Sequence, residues 1–239
     1  MRKAIRVIAL ILFIAGIVFF AYPIALRVAF DRQASQAIAQ FRQYKTDTAG
    51  TDSTSSSDDG VPYAELRRAM FDYNERLYLS GQSGLIDQLS YEIPDFHLSD
   101  YGIDSELLGY ISIPSIEIEL PIYNGAGEEN MEKGAAYLAN TSLPVGGDNT
   151  NCVIAAHAQY KGIYMFKRIT ELRQGDKIYV TNLWETLVYQ VCETKVIDPS
   201  DSRNIYIQEG RSLLTLSTCH PFPDNTQRYL VYAEMVGAE

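Results

Sequence analysis

The sequence predicts a mainly β protein: a closed or nearly closed β-barrel with short helices, preceded by a helical extension and an apolar N-terminal helix. From residue 108 onward the chain consists of short runs rich in β-branched and aromatic residues, separated by turn residues. Seven or eight such runs fit within about 130 residues, which is typical of a barrel. An uncharged run of 20 residues near the N-terminus predicts the apolar helix.

The uncharged run is Val7–Leu26. As a helix it would be about 30 Å long, which matches the apolar thickness of a bilayer. Arg2, Lys3 and Arg6 precede it, so the positive-inside rule places this end in the cytoplasm and the rest of the chain outside. A cleaved signal peptide is the alternative, but its apolar region is usually shorter and no A-x-A site follows here. We therefore expect a single-pass protein of the cell membrane with an extracytoplasmic body.

The segment between the apolar run and the barrel is predicted to be partly helical. Apolar residues between 34 and 44 follow helical spacing and predict a short juxtamembrane helix. Asp47–Gly60 holds only Ser, Thr, Asp, Gly and Ala, so it is predicted to be a flexible linker. Spacings of three and four from Tyr63 to Leu77 predict an amphipathic helix that ends before Gly81. Residues 82–105 are predicted to be ordered but irregular.

The barrel is expected over residues 106–239, with two short helices near Glu128–Lys133 and Phe166–Leu172. Its strands are predicted at Leu108–Ile113, Ile116–Ile122, Cys152–Ala156, Lys177–Thr181, Thr186–Cys192, Ser212–Thr218 and Tyr229–Val236. The chain thus divides into a cytoplasmic tail (1–6), a transmembrane anchor (7–26), a juxtamembrane helix and linker (27–61), an extension (62–105) and the barrel (106–239).

Composition narrows the classes of function. The net charge of the 239 residues is −10, and because residues 1–32 are basic, the rest of the chain carries −14. Such an acidic body argues against nucleic acid as a partner. No spacing of Cys, His or acidic residues resembles a zinc or calcium site, so neither a metal nor a cofactor is expected. Cys152 and Cys192 could pair, and the odd number of cysteines raises the question whether one thiol serves chemistry.

Three residues at predicted strand ends could form a reactive site. Cys219 ends one strand, and Arg228 begins the next after the strand-breaking sequence His-Pro-Phe-Pro. If these strands pair antiparallel, the thiol and the guanidinium meet at one rim of the barrel. His157 directly follows the apolar run Cys152–Ala156, again at a strand end. Together the three would supply a nucleophile, a proton carrier and a cation for an oxyanion.

Each of these residues also has a structural interpretation. A lone Cys is most often a small buried apolar residue, His157 could be a core histidine, and Arg228 an ordinary partner in an ion pair. His220 is a rival base because it adjoins Cys219. Neighbouring residues of an extended chain point to opposite sides, so we prefer His157 and expect His220 in a loop or pocket. We assign no role to His97.

The sequence resembles the sortase family. Thr215-Leu-Ser-Thr-Cys219 matches the TLxTC signature of sortases, while His157 and Arg228 fall at the positions of the family's histidine and arginine. The resemblance extends from about residue 108 to residue 236. It implies an eight-stranded sortase-type barrel in an extracytoplasmic cysteine transpeptidase of Gram-positive bacteria. Sortases cleave an LPxTG-like sorting signal between Thr and Gly, and an amine then resolves the thioester.

The resemblance also implies the residue roles. Cys219 attacks the scissile carbonyl as a thiolate, and His157 protonates the departing amine and later deprotonates the incoming one. Arg228 stabilises the oxyanion or holds the substrate backbone, with Thr218 and Ser217 as candidates for substrate binding or oxyanion support. At ordinary pKa values the required thiolate–imidazolium pair would be scarce, below about 1% at pH 7.

The class of sortase is less defined. The long extension resembles class C, the pilin-polymerising sortases, whose lid over the active site carries an Asp-Pro-aromatic anchor. Asp87-Gln88-Leu89 matches that anchor only in part, so Asp87 and Leu89 are candidate lid residues. The sequence Cys-His-Pro-Phe after Thr218 resembles class D instead. Ala158 and Gln159 stand where many relatives have Arg-Gly, so substrate or lid contacts at that place are not carried over.

The leading hypothesis is a membrane-anchored sortase, class C-like, that polymerises pilins. Its partners would be proteins bearing a sorting signal, or pilins, and an amine acceptor, either a pilin lysine or a cell-wall precursor. Three alternatives stay open: a cell-wall-anchoring sortase of another class, a hydrolytic cysteine peptidase, and an anchored binding module without catalysis. The order of His before Cys and the lack of a C-G-x-C-W motif argue against relatives of papain.

Overall fold

The computed structural model describes the backbone of residues 2–51, 63–82, 85 and 91–239. Its α-helices are α1 (Arg2–Thr51), α2 (Ala64–Leu79) and α3 (Glu128–Lys133). Its strands are β1 (Leu107–Ile113), β2 (Ile118–Asn124), β3 (Ala135–Tyr137), β4 (Thr150–Ala155), β5 (Gln159–Tyr160), β6 (Ile163–Tyr164), β7 (Lys177–Thr181), β8 (Thr186–Ile197), β9 (Ser212–His220) and β10 (Gln227–Ala238).

Eight of these strands close into a barrel in the order β1-β2-β3-β4-β9-β10-β8-β7. The pairs β2–β3 and β4–β9 are parallel, and the other neighbours in the barrel are antiparallel. Strands β5 and β6 form a separate hairpin directly after β4. The predicted mainly β fold with an eight-stranded barrel is therefore confirmed.

Local differences from the predicted strands have identifiable causes. Strand β2 starts at Ile118 rather than at Ile116, because Pro114–Ile116 forms a 3₁₀ turn and Glu117 follows with a φ of 54°. Strand β3 and the β5–β6 hairpin were not predicted, since strands of two or three residues carry too little alternation to recognise. The predicted helix at 166–172 is a 3₁₀ helix, Phe166–Glu171.

The two faces of the barrel wall belong to different clusters of buried side chains. The interior cluster takes residues from all eight strands, with Leu214 and Leu216 of β9 among them. The outer-face cluster is smaller. It consists of Leu85, Leu138, Val153, Ile205, Leu230 and Tyr232. Because strand side chains alternate, β9 contributes apolar residues inward and leaves Ser217 and Cys219 on the outer face.

Helix α1 is a single continuous helix whose two halves have different surroundings. Most of the side chains described between residues 8 and 28 are exposed, whereas Phe30, Ala34, Ile38 and Phe41 are buried against the barrel. The latter are spaced by four, four and three residues, so they form one face of the helix. The region from 8 to 45 is long and apolar enough to cross a membrane.

The juxtamembrane helix and the apolar run are thus parts of the same element. Helix α1 continues to Thr51, so the first five residues of the predicted linker, 47–51, are helical in backbone. This corrects the predicted start of the linker, and its remainder, residues 52–60, lies outside the described residues. The barrel end of α1 is held by Arg42, which pairs with Glu119 of β2 at 2.6 Å.

Helix α2 is the amphipathic helix that the spacing from Tyr63 to Leu77 predicts. It buries Leu66, Met70 and Tyr73 against the barrel. Asn74 is buried in the same face, where its amide donates to the Leu143 carbonyl and its oxygen accepts from the Leu143 N–H. These paired bonds satisfy the buried amide and fix the extension to the barrel.

Candidate active site

Cys219 and Arg228 are directly opposed in the antiparallel pair of β9 and β10. Opposed residues place their side chains on the same face, with Cβ atoms about 5 Å apart. The pairing therefore brings the thiol and the guanidinium together at the outer face, as the length of the connection predicts. Their roles in catalysis stay predictions.

His157 approaches from the neighbouring strand. Strand β4 runs parallel to β9, with Ala155 opposite Ser217, and the Ala156 N–H donates to the Ser217 carbonyl at 3.2 Å. His157 follows Ala155 by two residues, just as Cys219 follows Ser217 by two. The parallel register thus carries the imidazole to the level of the thiol.

Thr218 links these two strand ends from the opposite face. Its side chain is buried, and its hydroxyl donates to the Ala156 carbonyl at 2.9 Å. Because Thr218 neighbours Cys219 and Ala156 neighbours His157, this bond ties the segment that bears the nucleophile to the one that bears the base. The hydroxyl is engaged there. Ser217, in contrast, shares the face of Cys219 and borders the adjoining groove.

The imidazole of His157 stacks on the ring of Tyr160, with centroids 5.2 Å apart and an angle of 14° between the planes. The Tyr160 hydroxyl is hydrogen-bonded to Glu132 of α3. Partial burial lowers the pKa of His157 below its ordinary value of 6.5, since it disfavours the charged imidazolium, while the charges of Glu132 and Glu128 oppose that shift. In the free protein at pH 7 the imidazole is therefore mainly neutral.

The three cysteines are all unpaired. Cys219 is half-buried, whereas Cys152 lies inside the barrel, where burial raises the pKa of its thiol well above the ordinary range. Cys192 is partly buried and its thiol donates to the Tyr232 carbonyl at 3.4 Å. The conceivable Cys152–Cys192 bridge is thus absent from the structure.

A groove with a volume of about 330 Å³ adjoins Arg228 on the outer face. Its floor includes Ser217 and Leu230 of the barrel, and Ile205 from the β8–β9 connection forms part of one wall. Within the part of the chain that the structure describes, the Arg228 guanidinium makes no ion pair and donates to the neighbouring Gln227 carbonyl at 3.2 Å. It is therefore available to bind an oxygen of a substrate in the groove.

The far wall of the groove belongs to the extension. Tyr91 and Glu92 line it, and the Tyr91 carbonyl accepts from the Ala126 and Ala139 N–H groups. The Tyr91 hydroxyl donates to the Leu85 carbonyl at 2.9 Å, and Leu85 is fully buried in the outer-face cluster. The candidate lid residues Asp87 and Leu89 lie outside the described residues.

Several residues of this region were not predicted. Tyr160 and Glu132 surround His157, and Tyr91 and Ile205 line the groove. The spacing from His157 to Tyr160 alone carries no signal, because only the short β5–β6 hairpin folds the tyrosine back over the imidazole. His220 is the last residue of β9, opposite Gln227, rather than a loop residue as predicted, and its ring lies 5.5 Å from the Tyr229 ring, centroid to centroid.

Metal binding has no support in the described residues: there, His, Cys, Asp and Glu side chains form no group of three or more that could hold an ion. A thiol, an imidazole and a guanidinium at one rim can form an acyl-thioester and stabilise its tetrahedral precursors.

Comparisons with known proteins agree with this geometry. The family model described as the Sortase domain matches residues 111–236. Sortase A of Bacillus anthracis is 29% identical over 164 residues, which cover 68% of this chain and 76% of the relative.

Solved structures indicate which class of sortases the chain is similar to. Sortase C1 from Streptococcus agalactiae superposes with a TM-score of 0.71 at 29% identity, covering 85% of this chain and 100% of the other. Sortase C-1 from Actinomyces oris gives a TM-score of 0.65 at 33% identity, covering 73% of this chain and 98% of the other. The family match spans more than half of the chain and includes Cys219, His157 and Arg228. This chain therefore belongs to the sortase family of cysteine transpeptidases and is similar to its class C members.

Proposed function

We propose that the protein is a membrane-anchored, class C-like sortase that cleaves an LPxTG-like sorting signal and transfers it to an amine, in pilin polymerisation. The observation that carries this proposal is the convergence of Cys219, His157 and Arg228 at one rim, beside a groove that can hold an extended peptide. Similarity to solved class C sortases supports the pilin role, since one such relative belongs to a pilus island of group B Streptococcus.

In the first half-reaction, the Cys219 thiolate attacks the carbonyl carbon of the signal's Thr. The resulting oxyanion is stabilised by the Arg228 guanidinium, which the described residues leave without an ion pair. As the C–N bond breaks, the departing glycine amine takes its proton from the His157 imidazolium. The product is a thioester between Cys219 and the Thr carbonyl.

In the second half-reaction, a primary amine attacks the thioester. His157, now neutral, accepts the proton of the amine, and the thiolate leaves as the new amide bond forms. The lowered pKa of His157 keeps the imidazole in the neutral form that can accept this proton, and makes the imidazolium of the first step the scarcer form. A pilin lysine is the proposed acceptor, and a cell-wall precursor is the alternative.

Ser217 and Thr218 would support this chemistry in different ways. Ser217 borders the groove and could contact the bound signal directly. The Thr218 hydroxyl is bound to the Ala156 carbonyl, which favours a positioning role for the strand ends over direct contact with substrate.

Residues 82–105 are proposed to act as a lid. Support comes from the two fixed points of this segment: Leu85 is buried beside Ile205 and Leu230, and Tyr91 lines the groove. Asp87 and Leu89, which stand between Leu85 and Tyr91 in the sequence, are the proposed lid contacts.

The N-terminal helix is proposed to hold the enzyme at the membrane, with residues 1–6 in the cytoplasm and the barrel outside. Its support is the length and apolar composition of α1 and the basic residues before it. Because the second half of α1 packs on the barrel, the proposed anchor helix is held to the enzyme by side-chain packing as well as by the chain.

The proposal is tested with the full chain in detergent, incubated with an LPxTG-type peptide and either oligoglycine or a lysine-bearing pilin peptide. An amide-exchange product that is lost in Cys219→Ala supports transpeptidation, and a preference for the pilin peptide supports polymerisation. Free acid as the sole product, whatever the acceptor, would instead identify a hydrolase. Failure of every sorting peptide to form a thioester adduct would favour the binding module.

The lid is tested in the same assay, because a closed lid would lower the rate of thioester formation. We expect the double variant Asp87→Ala/Leu89→Ala to react faster than the native chain. Leu79→Ala, at an exposed position outside the groove, serves as the control and should react at the native rate. Equal rates for all three chains would argue against the lid.

A further inference from the structure

We propose that the rim of the barrel around the active site rests on the membrane surface, with Tyr164, Phe222 and Lys167 in the headgroup layer of the bilayer that holds α1. This inference rests on the proposed membrane anchor and extends it. It concerns which end of the barrel faces the lipid, and so where the substrate must be presented.

The first argument is the direction of α1 along the barrel. At its far end, Phe41 packs against Tyr110 of β1, with ring centroids 6.2 Å apart. Toward the apolar run, Arg27 and Phe30 border a cavity of about 320 Å³ whose other wall includes Ile163 and Tyr164 of the β6 strand. The apolar half of α1 therefore leaves the barrel at the end where the β5–β6 hairpin lies.

The active site opens at this same end. The hairpin begins two residues after His157, and its Tyr160 stacks on the imidazole. The loop that follows Cys219 is joined to the hairpin through Lys167, whose ammonium lies 4.4 Å from the Tyr164 ring centroid and 4.7 Å from that of Phe222. Hairpin, 3₁₀ helix and loop thus form one continuous rim beside the apolar helix.

The second argument is the depth of this rim. Tyr164 of the hairpin borders the same cavity as Arg27 of α1, and Arg27 directly follows Leu26, the last residue of the apolar run. The hairpin is therefore level with the end of the proposed span, where the headgroups of a bilayer would be.

The third argument is the chemistry of the rim. Tyr164 and Phe222 are large aromatic side chains with exposed fractions of 54% and 39%, in an otherwise acidic protein. Exposed aromatic rings beside lysine are typical of the membrane interface, where the ring lies among the headgroups and the ammonium reaches their phosphates.

Two acidic side chains of the rim have basic partners within it. Glu132 pairs with Lys161 at 3.8 Å, and Glu171 pairs with Arg168 at 2.9 Å. Arg168 also lies 3.8 Å from Glu117, and Asp224, in the loop after Cys219, is exposed. The Lys167 ammonium contacts only the rings of Tyr164 and Phe222 among the described residues, so it is available for a lipid phosphate.

A consequence follows for the substrate. A site at the headgroup layer would receive a sorting signal held close to the bilayer, as in a precursor still embedded in the same membrane. A sorting signal that arrives from bulk solution would be the less favourable substrate.

Tryptophan quenching by brominated lipid tests this orientation in the full chain. Trp184 is the single tryptophan, and it lies in the turn between β7 and β8, next to Leu183, which borders the Phe41 end of α1. We would prepare Tyr164→Trp, Phe222→Trp and Tyr22→Trp, each in a Trp184→Phe background. Each chain is reconstituted in phosphatidylglycerol/phosphatidylcholine vesicles with acyl chains brominated near the headgroup.

We expect the variants Tyr164→Trp and Phe222→Trp to lose most of their tryptophan emission, as should Tyr22→Trp. The native chain, with Trp184 alone, should keep its emission. Quenching of Tyr22→Trp without quenching of either rim variant would overturn the rim contact and leave the anchor intact. An unquenched Tyr22→Trp would overturn the anchor itself, and the rim contact with it.

A measurement without substitutions guards against misfolded variants. Hydrogen exchange of the native chain in lipid nanodiscs, compared with small detergent micelles, should slow in residues 159–164 and 221–226. Exchange in the turn 182–185 should be the same in both. Equal exchange of the rim in nanodiscs and micelles would contradict the contact.

Discussion

The interior of the barrel around Cys152 and the outer rim around Cys219 give the same side chain two different chemistries. Cys152 is opposite Leu214 in the β4–β9 pair, and Leu214 precedes Cys219 by only five residues along β9. The Cys152 thiol is enclosed by the interior cluster, and burial raises its pKa far above the ordinary range. Cys219 lies on the outer face of the same sheet, at a strand end, beside the Arg228 guanidinium and the His157 imidazole. Facing and position along the strand, rather than residue type, separate a structural thiol from a reactive one.

The largest expected effect comes from replacing each of the two cysteines in turn by alanine. Cys219→Ala should lower transpeptidation by at least ~10³-fold, because no other group at the described rim can form the thioester. Cys152→Ala should leave the rate near the native value and lower the free energy of unfolding by about 1 kcal/mol, since it leaves a small cavity. Peptide exchange kinetics and urea denaturation measure the two effects.

Alkylation sharpens the comparison of the two thiols. Iodoacetamide at neutral pH should label Cys219 of the folded protein and spare Cys152, as peptide mass mapping would report. Labelling of Cys152 at a similar rate would mean that the interior opens readily and that burial does not separate the two thiols.

The second effect concerns the cation of the rim. Arg228→Ala should lower kcat by about 10²–10³-fold, the loss typical of removing one oxyanion donor. The kcat of Arg228→Lys should lie between those of the native chain and Arg228→Ala, because lysine keeps the charge and lacks the planar guanidinium with its paired donors. Arg211→Ala, which removes the residue before β9 that pairs with Glu234 of β10 at 3.1 Å, is the matched control and should retain kcat. Equal losses in both positions would point to stability rather than chemistry.

Thr218 tests the link between the two strand ends. Thr218→Val keeps the shape and removes the donor to the buried Ala156 carbonyl, so we expect a loss of about 1–3 kcal/mol in unfolding free energy. Activity should fall several-fold, because the segment bearing His157 is less well held. Thr170→Val removes a comparable hydrogen bond to the Lys167 carbonyl at an exposed site, and it should lower the free energy of unfolding only slightly.

The smallest effect is electrostatic. Glu132 raises the pKa of His157, so Glu132→Gln should lower that pKa further, by a small amount because the site is partly exposed. The pH limb that reports His157 would move to lower pH, and the imidazolium fraction at pH 7 would decrease. Glu129→Gln on the same helix, whose carboxylate pairs with Lys133 at 2.6 Å, should leave the limb in place. NMR titration of the His157 ring measures both variants.

Much of the fold could be predicted because its strands are long enough to show their pattern. The predicted strand at Lys177–Thr181 matches β7 residue for residue, and the predicted run to Thr218 falls two residues short of the end of β9. The three residues of β3 could not be found, because their burial depends on partners far along the chain. For the same reason the contact of Tyr160 with His157 could not be predicted, since it depends on a hairpin of two-residue strands.

By itself, the sequence determined the apolar helix, the barrel class and the candidate group Cys219, His157 and Arg228, since each depends on local periodicity or on a short motif. Only the tertiary structure decided which faces meet. The parallel register of β4 and β9 brings His157 level with Cys219, and the packing of α1 directs the active-site rim toward the proposed membrane. Register and packing are contacts between residues distant in the chain, and no local pattern of side chains encodes them.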